Sequence, residues 1–133
     1  MTPVFLPRSL AAAALACAAL SAQALTPAEQ LAAYSAKAGG AASAARGAQF
    51  FAETHGREWS CASCHGKQPV GEGRHAGTGK PIAPLAPAAN PKRFSDEAKV
   101  EKWFRRYCND VVGRECTPAE KADVLAWLMT VKP

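Results

Sequence analysis

The sequence predicts an all-α fold arranged around one short turn that carries two cysteines and a histidine, and three observations point to it. Thr26-Pro27-Ala28-Glu29 and Thr117-Pro118-Ala119-Glu120 each set a capping hydroxyl, a proline suited to the first helical position and a glutamate able to reach back in the order that starts a helix. Val100, Trp103, Phe104 and Tyr107 recur at i, i+3, i+4 and i+7, which is an apolar stripe on a helix. No strands of a βαβ pattern flank the third feature, Ser60-Cys61-Ala62-Ser63-Cys64-His65-Gly66.

Two cysteines separated by two residues and followed at once by histidine are the requirement for covalent attachment of a haem. Each thiol adds across one vinyl group on one edge of the porphyrin, and a two-residue gap lets a single helical turn present both sulfurs to that edge. His65, next along the turn, is placed to supply an axial imidazole to the iron. The segment thus predicts one covalent haem c held by Cys61 and Cys64. A redox dithiol would sit after a strand of a βαβ unit. A zinc site would need a second close pair, which Cys108 and Cys116 are too far apart in sequence to provide.

Taken in order, the chain opens with Arg8, an alanine-rich apolar run from Leu10 to Leu20, and Ala22-Gln23-Ala24. That is the pattern of a secretory signal peptide with a small-x-small cleavage site, so residues 1–24 are expected to be removed and residues 25–133 to form one domain. Its apolar run is short for a bilayer span, and no transmembrane segment is expected in the mature chain. A lipid anchor at Cys17 is the weaker alternative, because Ala14-Leu15-Ala16 matches that signal poorly. The expected location is the periplasm.

The 16 basic and 11 acidic residues leave a net charge of +5, reduced by one when Arg8 goes. So mild an excess suits docking to an acidic partner protein. Basic and aromatic residues are not interleaved in the way nucleic-acid binding requires. With Cys17 in the leader and Cys61 and Cys64 on the haem, Cys108 and Cys116 remain. In an oxidising compartment such a pair forms a disulfide, the alternative being two buried thiols.

The first helix runs from the Thr26 cap to about Lys37 and is broken by Gly39-Gly40. A second is expected from Ser43 to His55, with Gly47, Phe50 and Phe51 on one side. A glycine in mid-helix costs about 1 kcal/mol relative to alanine, which implies that another helix crosses closely there. From Gly66 to Phe94 no regular element is expected. Glycines make the first half of this loop pliable and prolines stiffen the second, and Ile82 and Leu85 give it something to bury over the haem. Ser95-Asp96-Glu97 starts a further helix, acids first. Its stripe turns Tyr107 inward, while Lys99, Glu101, Lys102, Arg105 and Arg106 are expected on a solvated face. The last helix, Thr117 to about Thr130, offers Val124, Leu125, Leu128 and Met129 as its apolar stripe.

The far side of the iron decides the function. Electron-transfer cytochromes commonly use methionine there, but Met1 leaves with the leader and Met129 belongs to the packing of the last helix. His55, His75, Tyr107, Asn109 or no ligand at all remain. His55 precedes the haem turn too closely to cross the ring, and His75 lies in a glycine-rich loop.

Thr78-Gly79-Lys80-Pro81-Ile82-Ala83-Pro84-Leu85-Ala86-Pro87, Arg93-Phe94, Val100-Glu101-Lys102-Trp103, Cys108-Asn109, Gly113-Arg114-Glu115-Cys116-Thr117 and Glu120 to Leu128 together resemble the SHP family of monohaem cytochromes c, over nearly the whole mature chain. The resemblance implies a class I cytochrome c fold, a high-spin haem with a proximal histidine, and a disulfide near the distal side. It further implies a distal asparagine that binds ferric iron weakly and leaves on reduction, so that oxygen or nitric oxide can bind, and a dihaem cytochrome c as electron partner. In that pattern the asparagine immediately precedes the first disulfide cysteine, where this sequence has Tyr107. Tyr107 could ligate, hydrogen-bond a bound ligand or leave the iron five-coordinate, and Asn109 stands two residues on. Two further functions stay open. One is a plain electron carrier with a tight sixth ligand such as His75, and the other is a haem enzyme using His75 with Arg74. No catalytic residue is assigned.

Overall fold

The computed structural model describes residues 24–133; the expected signal peptide lies almost entirely outside them. Helix α1 (Pro27–Ala38) begins at the Thr26 cap with Glu29 closing a capping box, and ends at Gly39 in the left-handed conformation. Helix α2 (Ala44–Ala52) is capped by Ser43. Helix α3 (Cys61–His65) is one short turn. Strands β1 (Gly73–Arg74) and β2 (Pro81–Ile82) pair antiparallel. Helix α4 (Glu97–Val111) starts at the Asp96 cap, and α5 (Pro118–Thr130) repeats at Thr117 the cap-and-box grammar of α1. Among these residues no helix is long and apolar enough to cross a membrane.

Helix α5 is the axis of the packing, with α1 and α2 laid against it. Its Val124, Leu125 and Leu128 meet Tyr34 of α1, Phe51 of α2 and Val100 of α4 in one apolar cluster, and Trp127 sits on Phe51 with ring centroids 4.7 Å apart. Met129 packs against this cluster, as the sequence predicts. At Gly47 the backbones of α2 and α5 touch, and a methyl group there would overlap the Asp123 carbonyl. The close crossing expected from a glycine in mid-helix is therefore present.

Three expectations are corrected. Helix α2 stops at Ala52, short of His55. Glu53 turns extended, Arg57 N–H bonds the Thr54 carbonyl at 2.8 Å, and His55 takes a positive φ of 52° with its Nε2 2.9 Å from the Phe50 carbonyl oxygen. A tight turn thus replaces the last helical turn. The Gly66–Phe94 loop, expected to be irregular, contains the β1–β2 pair, which is too short for alternation to reveal. Glu101 does not lie on a solvated face. It accepts from the Tyr34 hydroxyl at 2.7 Å and from Lys121 Nζ at 2.7 Å, tying α4 to α1 and α5.

Asp123 is a second polar tie. Only 6% exposed, it accepts from Ser43 N–H at 2.6 Å, Arg46 Nε at 2.6 Å and Arg46 Nη2 at 2.8 Å. Burial raises its pKa, but the bonds from Arg46 and the Ser43 backbone outweigh that and hold it below the ordinary value. A carboxylate depressed in the folded state contributes stability above its unfolded pKa and loses it as pH falls through the folded one. We expect the stability gap between the parent and D123N, read from urea midpoints, to be full at neutral pH and to shrink below about pH 4.

Candidate haem site

The haem-binding turn is built by local chemistry. Ser60 and Ser63 form a reciprocal box, Ser63 N–H donating to Ser60 Oγ at 3.2 Å and Ser60 N–H to Ser63 Oγ at 3.0 Å. This starts α3 at Cys61 and brings Cys61 and Cys64 onto the same wall one turn apart. Gly66, with φ 77° and ψ 164°, ends the turn directly after His65. The hairpin then lies against α3. A methyl group at Gly73 would overlap the Cys64 carbonyl, and Ala76 N–H points at Cys64 Sγ at 3.3 Å.

These residues face a cavity of about 740 Å³, within the range of cofactor sites. Its walls are mostly apolar and include Phe51, Ile82, Leu85, Val100 and Leu128. The loop expected to wrap the haem does supply one wall. Burial, reinforced by the nearby Arg93 charge, lowers the His65 pKa to about 4. The imidazole is therefore neutral at neutral pH, with a lone pair to donate. Burial also pushes the Cys61 thiol up to about 11, as suits a thiol in an apolar wall.

Tyr107, from α4, stands across the cavity wall from His65 with ring centroids 6.5 Å apart and planes at 87°. It stacks on Trp103 at 5.3 Å and 10°. Asn109 is turned elsewhere, its Nδ2 donating to the Arg105 carbonyl at 2.7 Å on its own helix. His75 is held at the hairpin tip, where Nδ1 accepts from Gly77 and Thr78 N–H, each at 3.2 Å. The structure therefore brings Cys61, Cys64, His65 and Tyr107 to one cavity, and His75, from the hairpin, and Asn109 also border it. Cys108 and Cys116 form a disulfide with Cα atoms 5.6 Å apart, immediately after Tyr107. Closing so short a loop contributes about 2 to 3 kcal/mol.

Sequence reasoning missed Arg93. Its guanidinium reaches the cavity wall and donates to the carbonyls of Pro84 at 2.9 Å and Ala83 at 2.8 Å. The only signal in the sequence was its membership of the Arg93-Phe94 pair, which carries no spacing rule of its own.

Two thiols one turn apart, an adjacent neutral imidazole and an apolar cavity of this size fit haem c and no other group in view. Helices packed in this order around such a site define a class, the monohaem cytochromes c of the class I fold. Within it, the chain belongs to the SHP-type cytochromes c. Cytochrome c-type protein SHP of Cereibacter sphaeroides is 52% identical over 107 residues, covering 77% of this chain and 82% of that protein. Cytochrome c'' of Methylophilus methylotrophus is 49% identical over 80 residues, 60% of this chain and 56% of that protein. The solved structure of oxidized SHP, an oxygen binding cytochrome c, superposes with a TM-score of 0.74 at 50% identity, covering 79% of this chain and 96% of that one. The crystal structure of oxidized cytochrome c'' gives 0.72 at 38% identity, over 80% of this chain and 95% of that one. Residues 37–128 also match the family described as Domain of unknown function (DUF1924).

Proposed function

We propose that residues 25–133 are an exported, periplasmic cytochrome whose haem is bonded through Cys61 and Cys64, held axially by His65, and only weakly or not at all by a protein ligand on the other side. When bound, the haem supplies one-electron redox chemistry and an iron position able to take small diatomic ligands such as oxygen or nitric oxide. The chain's own residues do the rest. Helix α3 fixes the edge and one face, and the neutral His65 imidazole offers its lone pair. The hairpin, the proline-rich loop and α4 supply apolar walls. Electrons would come from another cytochrome, of the dihaem kind that the family resemblance implies.

One observation carries this reading. The group facing His65 is Tyr107, 6.5 Å away between ring centroids, a weak ligand at best for ferrous iron. The sole methionine of residues 25–133, Met129, is packed against the core from α5. The printed description of the related SHP as oxygen binding supports it further. His75, on the hairpin that lies against α3 and with Nδ1 engaged by two amides, is the alternative tight ligand. In H75A we expect the ferrous spectrum and its carbon monoxide response to match the parent's. A parent without a carbon monoxide response that gains one in H75A would establish His75 as the ligand and overturn the proposal.

A further inference from the structure

Helix α4 carries two stripes. The apolar one, Val100, Trp103, Phe104 and Tyr107, borders the cavity. The basic one, Lys99, Lys102 and Arg106, is exposed, and its spacing sets the three cations on one face of the helix. Trp103 stands where the stripes meet. At 38% exposure it is the most exposed large apolar side chain among the described residues, and it also forms part of the cavity wall. Lys102 Nζ and the Arg106 guanidinium lie over its ring, 5.6 and 5.9 Å from the centroid, within the range of cation–π attraction. Among the described residues neither cation pairs with a carboxylate. Their neighbours on α4 do, Lys99 lying 3.8 Å from Asp96 and Arg105 3.6 Å from Glu115.

A single exposed apolar ring is ordinary. A tryptophan flanked by two unpaired cations is a different surface, an apolar centre with a charged rim, and tryptophan and arginine are the side chains that dominate binding energy at protein interfaces. Behind it the aromatic contacts are continuous. Trp103 stacks on Tyr107 at 5.3 Å, and Tyr107 meets His65 edge-on at 6.5 Å, so the exposed ring is two contacts from the axial imidazole. We propose that, in the haem-bearing electron acceptor on which this inference rests, the Lys102–Trp103–Arg106 face of α4 docks an acidic electron-donor protein, whose electron passes through the Trp103–Tyr107 stack. Carboxylates on the donor would meet the two free cations, which steers the encounter and fixes its register. One electron leaves the reduced centre of the donor and arrives at the ferric haem. No bond is made or broken, no proton moves, and the indole and phenol end unchanged.

The test uses the mature haem-bearing protein, with flavodoxin, an acidic one-electron donor, as the probe. Calorimetry with oxidised flavodoxin reads docking without electron transfer, and stopped-flow reduction by its hydroquinone reads the transfer. The variants are K102E/R106E, W103A and K67E/K132E, the last making the same change in net charge at two exposed lysines off this face, one directly after the haem turn and one beyond α5. We expect K102E/R106E to raise the Kd and lower the second-order rate about tenfold at low salt, and to flatten the salt dependence of both. K67E/K132E should change either by much less. W103A should slow reduction by more than it weakens binding. Should W103A lose its haem, K102E/R106E decides alone. Parental binding and rates in K102E/R106E would overturn the proposal, as would an equal or larger loss in K67E/K132E, since net charge or the thioether edge would then govern docking. Reduction in W103A that slows no more than binding weakens would overturn the stack as the route. The haem reading is judged separately, by the colour of the parent and its reduction by dithionite, neither of which K102E/R106E should alter.

Discussion

Replacing Cys61 and Cys64 together by alanine is expected to give a protein that loses all colour from its polypeptide under denaturing conditions and weighs no more than its amino acids. The two sulfurs line the same wall, one helical turn apart on α3, and among the described residues no other thiol is available, since Cys108 and Cys116 are joined to each other. The loss should extend to folding. The cavity of about 740 Å³ is walled by residues from α2, α4, α5 and the long loop, so without a bonded haem those elements share little of their apolar surface. Cavities in a core are destabilising in proportion to volume, and one of this size should abolish the cooperative unfolding transition. Circular dichroism melts check that, and electrospray mass of the denatured chain checks the attachment. A single-cysteine variant should keep one thioether and stay coloured.

The second large effect is at Gly47. In an isolated helix, alanine at this position would be worth about 1 kcal/mol over glycine. Here the sign should reverse, because the added methyl would overlap the Asp123 carbonyl and approach Val124 N at 2.9 Å, backbone atoms that cannot move aside as a side chain can. Forcing α2 and α5 apart also strains the Asp123 bonds to Ser43 and Arg46, which cross the same contact. We expect G47A to lose about 1 to 3 kcal/mol net, measured from urea unfolding, and G47V to lose more. G47A at or above parental stability would mean that the two helices are not in backbone contact.

The elements that were legible beforehand have local causes. Thr26 and Thr117, each followed by proline and by a reach-back glutamate, marked two helix starts to the residue, and the stripe from Val100 to Tyr107 located α4. The Cys61-Cys64-His65 spacing specified the cofactor because thioether chemistry demands it. What stayed hidden depends on partners far along the chain. Glu101 looked like one more surface charge until Tyr34 and Lys121 met it. Asp123 carries no local signal of its role, since the groups that bond it, Ser43 and Arg46, lie about 80 residues earlier in the chain. The end of α2 was overestimated by about one turn because the chain leaves the helix at Glu53, ahead of the Thr54–Arg57 turn that His55 and Gly56 make with positive φ of 52° and 74°. Arg93 escaped notice because a cation in a loop has no pattern until the cavity it faces is known.

The central claim is that iron held by His65 on one side is loosely held or open on the other, where Tyr107 stands. The most direct measurement is the optical spectrum of the dithionite-reduced protein with and without carbon monoxide. We expect broad high-spin bands that sharpen and shift when the gas is added. Sharp low-spin bands that carbon monoxide leaves unchanged would contradict it.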